Sequence, residues 1–500
     1  MPRQFANRAL VNKSDTVSPG SLKKDAIRSG GWLAATRIMG QIVQLGTTLV
    51  LARVLGTHEF GLMAMALLYQ GVIDTFIDFG FLTALIQRKQ LDEKTLSSCF
   101  WFLIGISCVI CAGSIALSPQ IANLLGDERV ASATAVLALA FLAAPSQIVS
   151  KALLSRSLRL DAVGKSEFLS SLLRCGITIA MAMQGAGVWS LVYGYLSEKL
   201  FLAVQLPLRA GWRPSLSFDP ASVREIVRFG VNVTGGSFMW YLYTHADGFI
   251  VGRVLGAGVL GVYTIASQFA NSVFKLLAAS YNRVAFPAYT KLQDAPDLNR
   301  VFIKSSVYLA VIAAPLYLGI AAVAPDLIHV LLGTKWADAA LPMRVLAVGY
   351  AFQTISALLP ALFNARGMPT INMYVNLAST AAFAGGLYAS AVNWGLAGVL
   401  YVGVGLHAAR YLLLLAMASR VLGLGILRYA NAHVRVVLAA AGMCGVVIQS
   451  ADLTGGLAAP ARLAICVAIG AGCFPILLSL LDRPLAAEIF HTVMSARRRR

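Results

Sequence analysis

Arg53-Val-Leu-Gly56, followed by Gly61, recurs as Arg253-Val-Leu-Gly256, followed by Gly261. Each copy joins the first two apolar stretches of its own half of the chain. That equal placement predicts an internal duplication. Two six-helix lobes of the same orientation are then related by a pseudo-two-fold axis along the membrane normal. The lobes must be membrane-embedded: 58% of residues are hydrophobic, 13% are charged and the mean hydropathy is +0.72, which does not suit a water-soluble domain. The expected fold is an all-α polytopic membrane protein with about 14 transmembrane helices, each needing about 20 mostly apolar residues.

Lys and Arg crowd every second gap between these stretches. Arg88, Lys89 and Lys94 fill one such gap, and Lys151, Arg156, Arg159 and Lys165 the next but one. The gaps between carry isolated cations such as Arg53, Arg129 and Arg462. Cationic loops stay on the cytoplasmic side because moving several charges through a bilayer is unfavourable, so both termini are expected inside. The formal net charge of +19 is thereby explained by topology and anionic headgroups, and nucleic acid is not expected as a partner. Residues 1–29 form a basic tail without the apolar core of a secretory signal. An N-terminal lobe follows over 30–206, a cytoplasmic linker over 207–224 and a C-terminal lobe over 225–421. An accessory helix pair is placed at 433–482 and a basic cytoplasmic tail at 483–500. Cys108 and Cys111 read C-x-x-C, but they lie within an apolar helix and with no second pair nearby they are packing residues.

Several charges lie inside the spans. Arg37, Asp78, Arg174, Glu198, Lys199, Lys275 and Arg410 all fall at similar depth from the cytoplasmic helix ends, and Asp74 lies one turn deeper than Asp78. Eight residues of helix put them about 12 Å in. Ionisable groups there cost about 2.5–3.5 kcal/mol each on insertion scales unless they pair or meet water. The cations Arg37, Arg174, Lys199, Lys275 and Arg410 outnumber the opposing carboxylates Asp74, Asp78 and Glu198. The excess suits an anionic group entering from the cytoplasm, such as a phosphate or pyrophosphate. Arg37 and Asp78, on helices adjacent in sequence, are the expected ion pair, which either serves function or only orients the helices. Lys275 and Arg410 either line the cavity or snorkel to the inner headgroups.

Helix 7 carries Trp240, Tyr243, Thr244 and Asp247 on one face. Aromatic rings beside hydroxyls and a carboxylate suit sugar stacking, with Trp240 and Tyr243 as the candidate platform. Asp247 and His245 suit a coupling proton or cation equally well, and interfacial aromatics with Asp247 paired to Arg253 are a further reading. No phosphate-cradling G-x-x-x-x-G-K-[ST] loop occurs, and the G-x-G-x-x-A match at Gly403–Ala408 sits mid-helix with no strand before it. The dispersed histidines suggest no zinc site. Neither catalytic residues, a metal nor a cofactor is expected.

Four segments, in order, carry a family resemblance. They are Gly30-Gly-Trp-Leu-Ala-Ala-Thr-Arg37 after the basic tail, and Leu51-Ala-Arg-Val-Leu-Gly56 through Glu59-Phe-Gly61. The others are Val251-Gly-Arg-Val-Leu-Gly256 through Gly261-Val-Tyr263, and Gly187-Val-Trp-Ser-Leu-Val-Tyr-Gly194. The chain resembles the bacterial polysaccharide flippases, the O-antigen and exopolysaccharide exporters of the multidrug/oligosaccharidyl-lipid/polysaccharide (MOP) superfamily. The resemblance implies a V-shaped pair of lobes working by alternating access in the bacterial inner membrane. It implies a cationic central cavity, with Arg37 similar to a functional arginine of the family. The cargo it implies is an oligosaccharide repeat unit on undecaprenyl diphosphate, and membrane lipids and polysaccharide polymerase or export machinery are the expected partners of a monomer. A peptidoglycan lipid-precursor flippase and a multidrug/cation antiporter of the same superfamily are the alternatives. A net positive layer argues against the antiporter.

Overall fold

A computed structural model describes residues 19–78, 80–88, 91–292 and 297–498. Residues 1–18 of the expected N-terminal tail, and Arg499 and Arg500 of the C-terminal one, lie outside the described residues. The first compact unit, Met1–Gly261, begins with α1 (Pro19–Val54), α2 (Thr57–Asp78), α3 (Phe81–Gln87), α4 (Glu93–Ala116), α5 (Ser118–Leu125) and α6 (Val130–Leu137). A 3-10 segment, Ala138–Ala143, leads into α7 (Ala144–Arg156), α8 (Leu160–Met183), α9 (Val188–Ala210) and α10 (Pro220–Ile250). A π-helical turn, Val251–Leu255, joins α10 to α11 (Gly256–Lys291), whose first turn closes the unit. The second unit, Val262–Arg500, continues with α12 (Leu298–Leu331), α13 (Ala340–Ser356), α14 (Leu358–Ala365) and α15 (Pro369–Leu422). It ends in α16 (Ile426–Leu453), α17 (Ala459–Leu481) and α18 (Arg483–Arg498).

Among the described residues, ten helical segments are long and apolar enough to cross a membrane. Thr234–Leu277 and Thr370–Leu422 run for 44 and 53 residues, more than one crossing uses. Each is broken at a glycine with positive φ, Gly256 at 86° and Gly395 at 60°, a region that favours a residue without Cβ. α1 and α9, which carry Arg37 and the Glu198–Lys199 pair, are not among the ten.

The compact units divide at Gly261 rather than within the 207–224 linker. The linker is pinned to the start of α4. Trp101 Nε1 donates to the Ser215 carbonyl (2.8 Å), and the amides of Ser215 and Asp219 donate to the hydroxyls of Ser97 (2.9 Å) and Ser98 (2.7 Å). Within it, Asp219 caps α10, which lies along α2, where the Tyr241 hydroxyl donates to the Leu68 carbonyl (2.9 Å). The core of the first unit gathers Phe81, Leu96, Leu103, Leu153, Leu206 and Trp212. In the second unit, α12 and α16 share a core of small residues, among them Ala310, Ala314, Ala439 and Ala440, against Cys466 and Phe474 of α17. Small residues let helix backbones approach where lipid offers no hydrophobic drive to associate.

Candidate functional site

In the first unit, α2, α8 and α9 bring four of the expected charges together around one ring. α8 and α9 lie close because Gly194 has no side chain; a methyl there would overlap the Thr178 hydroxyl. That approach sets Arg174 Nη1 2.9 Å from Glu198 Oε2. Tyr195 lies beneath both cations, with its ring centroid 5.6 Å from the Arg174 guanidinium and 5.2 Å from the Lys199 ammonium. Lys199 reaches Asp74 Oδ2 of α2 at 3.8 Å, and Gln147 donates to the Lys199 carbonyl at 2.9 Å. The pairs are not sealed in: side-chain exposure is 21% and 22% for Arg174 and Glu198, and 29% and 39% for Lys199 and Asp74.

The expected Arg37–Asp78 pair is not formed. Arg37 Nε instead lies 3.4 Å from Glu167 Oε2 of α8, and Lys151 holds the other oxygen of that carboxylate at 2.8 Å. The cause is packing. α1 lies against α8, seated at Gly164, where a methyl would strike the Thr36 hydroxyl. Asp78 turns to the backbone, where Oδ1 accepts from the Leu82 amide at 3.3 Å in the first turn of α3. Among the described ion pairs of this cluster, four cations, Arg37, Lys151, Arg174 and Lys199, meet three carboxylates, Asp74, Glu167 and Glu198.

In the second unit, Arg410 is buried and Nη2 donates to Asn376 Oδ1 at 2.8 Å, a neutral partner across the two arms of α15. His407, one turn away, meets Phe383 edge-on at 4.9 Å. Lys275 on α11 is exposed and meets no carboxylate within ion-pair distance among the described residues.

The aromatic face of α10 differs from expectation. Tyr243 is buried, with Trp240 tilted against it at 5.7 Å, so Trp240 alone presents an open ring. His245 packs on Tyr241 at 4.4 Å, Asp247 accepts from the Gly248 amide at 2.7 Å, and the Thr244 hydroxyl donates to the Trp240 carbonyl at 2.9 Å. Sequence reading missed Glu167 and Tyr195. Glu167 sits just inside the helix from its cationic gap, and Tyr195 is one turn before Lys199.

At the other end of α2, about 20 Å from Asp74 at helical rise, the two copies of the repeat meet. A methyl on Gly61 would overlap the Ala257 carbonyl, and one on Gly261 would overlap the Thr57 carbonyl. The contact is reciprocal: each copy's glycine lies on the backbone of the other.

Comparison with known proteins agrees with this architecture. The family described as polysaccharide biosynthesis protein matches residues 50–341. The chain is similar to the lipopolysaccharide biosynthesis protein WzxC of Escherichia coli (strain K12), at 28% identity over 379 residues, covering 73% of this chain and 74% of that protein. Its fold is similar to that of the lipid II flippase MurJ in an inward closed conformation, with a TM-score of 0.77 at 14% identity over 91% of this chain and 99% of the other. An inward-facing multidrug resistance MATE family transporter of the MOP superfamily superposes with a TM-score of 0.59 at 14% identity, covering 76% and 95% of the two chains.

Proposed function

The chain belongs to the polysaccharide biosynthesis protein family within the MOP transporter superfamily, and from that premise we propose that it flips undecaprenyl-diphosphate-linked oligosaccharide repeat units across the bacterial inner membrane. It is a transporter rather than an enzyme. Counting α1 and α9, and counting each glycine-broken segment twice, gives fourteen crossings, six to each lobe and a C-terminal pair.

The observation that carries the cargo assignment is the paired but open cluster around Tyr195. Arg174 and Lys199 are held ready by carboxylates, so their charge is compensated when no cargo is bound. A diphosphate presents two anionic groups, and the Arg174 fork matches phosphate oxygens in two-point geometry. Cargo binding therefore exchanges Glu198 and Asp74 for phosphate oxygens. An exchange of this kind is close to balanced, which suits a carrier that must release what it binds. The sugars lie toward Trp240, and the prenyl chain stays in lipid. The reciprocal Gly61–Gly261 crossing is the outer seal, parted when the lobes rock. A peptidoglycan lipid precursor offers the same diphosphate, and the likeness to the lipid II flippase favours it as the second reading.

The test uses a strain whose glycan export depends on this chain. Arg174→Ala and Lys199→Ala are expected to reduce export at least about tenfold, the loss of one charge-assisted contact of about 1.5–3 kcal/mol, with normal abundance in the membrane. Lipid-linked repeat units should then accumulate on the inner leaflet. Export that stays normal in both variants, or falls only in step with abundance, would refute the phosphate-binding role.

A further inference from the structure

The terminal helix α18 has a face that the bundle does not use. It follows the spanning helix α17 after Asp482 alone, so it begins at the membrane surface on whichever side α17 ends. Leu485, Ala486 and Ile489 pack against the core shared by α12, α16 and α17. Glu488 fastens the helix from another side, ion-paired to Lys304 and accepting from the Tyr308 hydroxyl at 2.7 Å, both on α12. At its start, Asp482 Oδ1 accepts from the Leu485 amide at 3.2 Å, and Arg435 Nη1 lies 3.5 Å from Asp482 Oδ2.

With the helix held there, Phe490 is 68% exposed and Met494, one turn on, 42% exposed. Arg483 opens the helix and four consecutive arginines, Arg497–Arg500, follow Met494 in the sequence, while the helix's single acid, Glu488, is already taken. Two apolar side chains facing outward between cationic ends, on a helix fixed beside a membrane span, are satisfied together in one place: the interface of an anionic leaflet. We infer that α18 lies in the membrane plane, seating Phe490 and Met494 among acyl chains beside anionic phospholipid headgroups of the inner leaflet, to which its cationic sequence is drawn. Through Glu488, that seat braces the cytoplasmic end of α12. The inference rests on α17 crossing the membrane with its end inside, not on the cargo.

The full chain carrying p-benzoylphenylalanine in place of Phe490 tests it, reconstituted in phosphatidylcholine vesicles with and without phosphatidylglycerol. After irradiation, mass spectrometry should find phospholipid adducts, with a yield at least about three-fold higher in the anionic vesicles. Replacing Arg497, Arg498, Arg499 and Arg500 with Gln should remove that gain. A chain-to-chain adduct as the main product would assign the pair to a second copy and overturn the inference. Absence of adduct, or equal yield in both vesicles, would overturn it as well.

Discussion

Arg462 and Asp326 show what a buried charge demands of its neighbours. Asp326 is buried inside α12, and its carboxylate is gripped on both oxygens by Arg462, through Nε at 2.8 Å and through Nη2. Arg462→Ala removes the countercharge and leaves a desolvated carboxylate alone, which is costlier than removing both partners. The variant should unfold at least about 2 °C lower in detergent, whereas Asp326→Asn with Arg462→Gln should recover much of the loss. Thermal melts of the parent and the two purified variants decide this; an Arg462→Ala variant that melts with the parent would show that the pair is dispensable. Arg174, Glu198, Lys199 and Asp74 could be singled out in the sequence as charges within the spans, because the cost of a buried charge depends on depth and depth follows from position along a helix. The structure pairs Arg174 with Glu198 and Lys199 with Asp74. The partner of Arg37 was not legible, because which helix faces which is set by small residues such as Gly164, far from the charges themselves. Tyr243 failed for a similar reason: a helical face is visible in spacing, but which part of it another helix covers is not.

Helix ends and crossings carry the next level of information. Asp92 caps α4; its Oδ1 accepts from the Thr95 amide at 3.3 Å, and the bond from the Thr95 side chain is the main force holding its carboxyl below the usual carboxylate range. Asp92→Ala should cost about 1 kcal/mol at pH 7. A depressed carboxylate stabilises fully above its unfolded value of about 4 and loses that contribution as pH falls through its lower folded value. The gap in melting temperature between the parent and Asp92→Ala should therefore close in acid, while Asp92→Asn, which still caps, should show a smaller gap throughout. At the crossing, the repeat was readable as two motifs at matched places, but their meeting was not, because the approach of two backbones leaves no mark beyond a glycine. Gly261→Val puts a branched side chain onto the Thr57 carbonyl. It should hold the crossing apart and raise labelling of a Thr57→Cys variant by a membrane-impermeant maleimide added outside, several-fold over the same cysteine with Gly261 intact. Unchanged labelling would remove the crossing as a seal.

At the scale of the whole chain, the alternation of cationic gaps and the breaks at Gly256 and Gly395 make separate claims about the same topology. The first rests on the energetics of translocating charge, the second on backbone geometry. On the proposed topology they require an even number of crossings, with the C-terminus on the same side as the cationic gaps. Read from the sequence, the terminal pair leaves a twelve-helix topology as the alternative. The second unit nevertheless buries α16 against α12 through Val436, Ala439 and Met443, and the Asp326–Arg462 bridge ties α17 to it. These helices are therefore expected to cross rather than lie on the surface. Reporter fusions separate the possibilities. A green fluorescent protein joined after Arg500 should fluoresce, as should one inserted at Gly423, since this reporter matures only in the cytoplasm. Alkaline phosphatase inserted at Gly456, between α16 and α17, should be active, because that enzyme folds only outside. Activity at Gly456 with fluorescence at both other sites fixes α16 and α17 as a membrane-crossing pair. An inactive fusion at Gly456 would reduce the topology to twelve crossings and leave the C-terminal pair inside. The bridge at Asp326 would then lie at the cytoplasmic end of α12, opposite to the side its cation-poor loop assigns it.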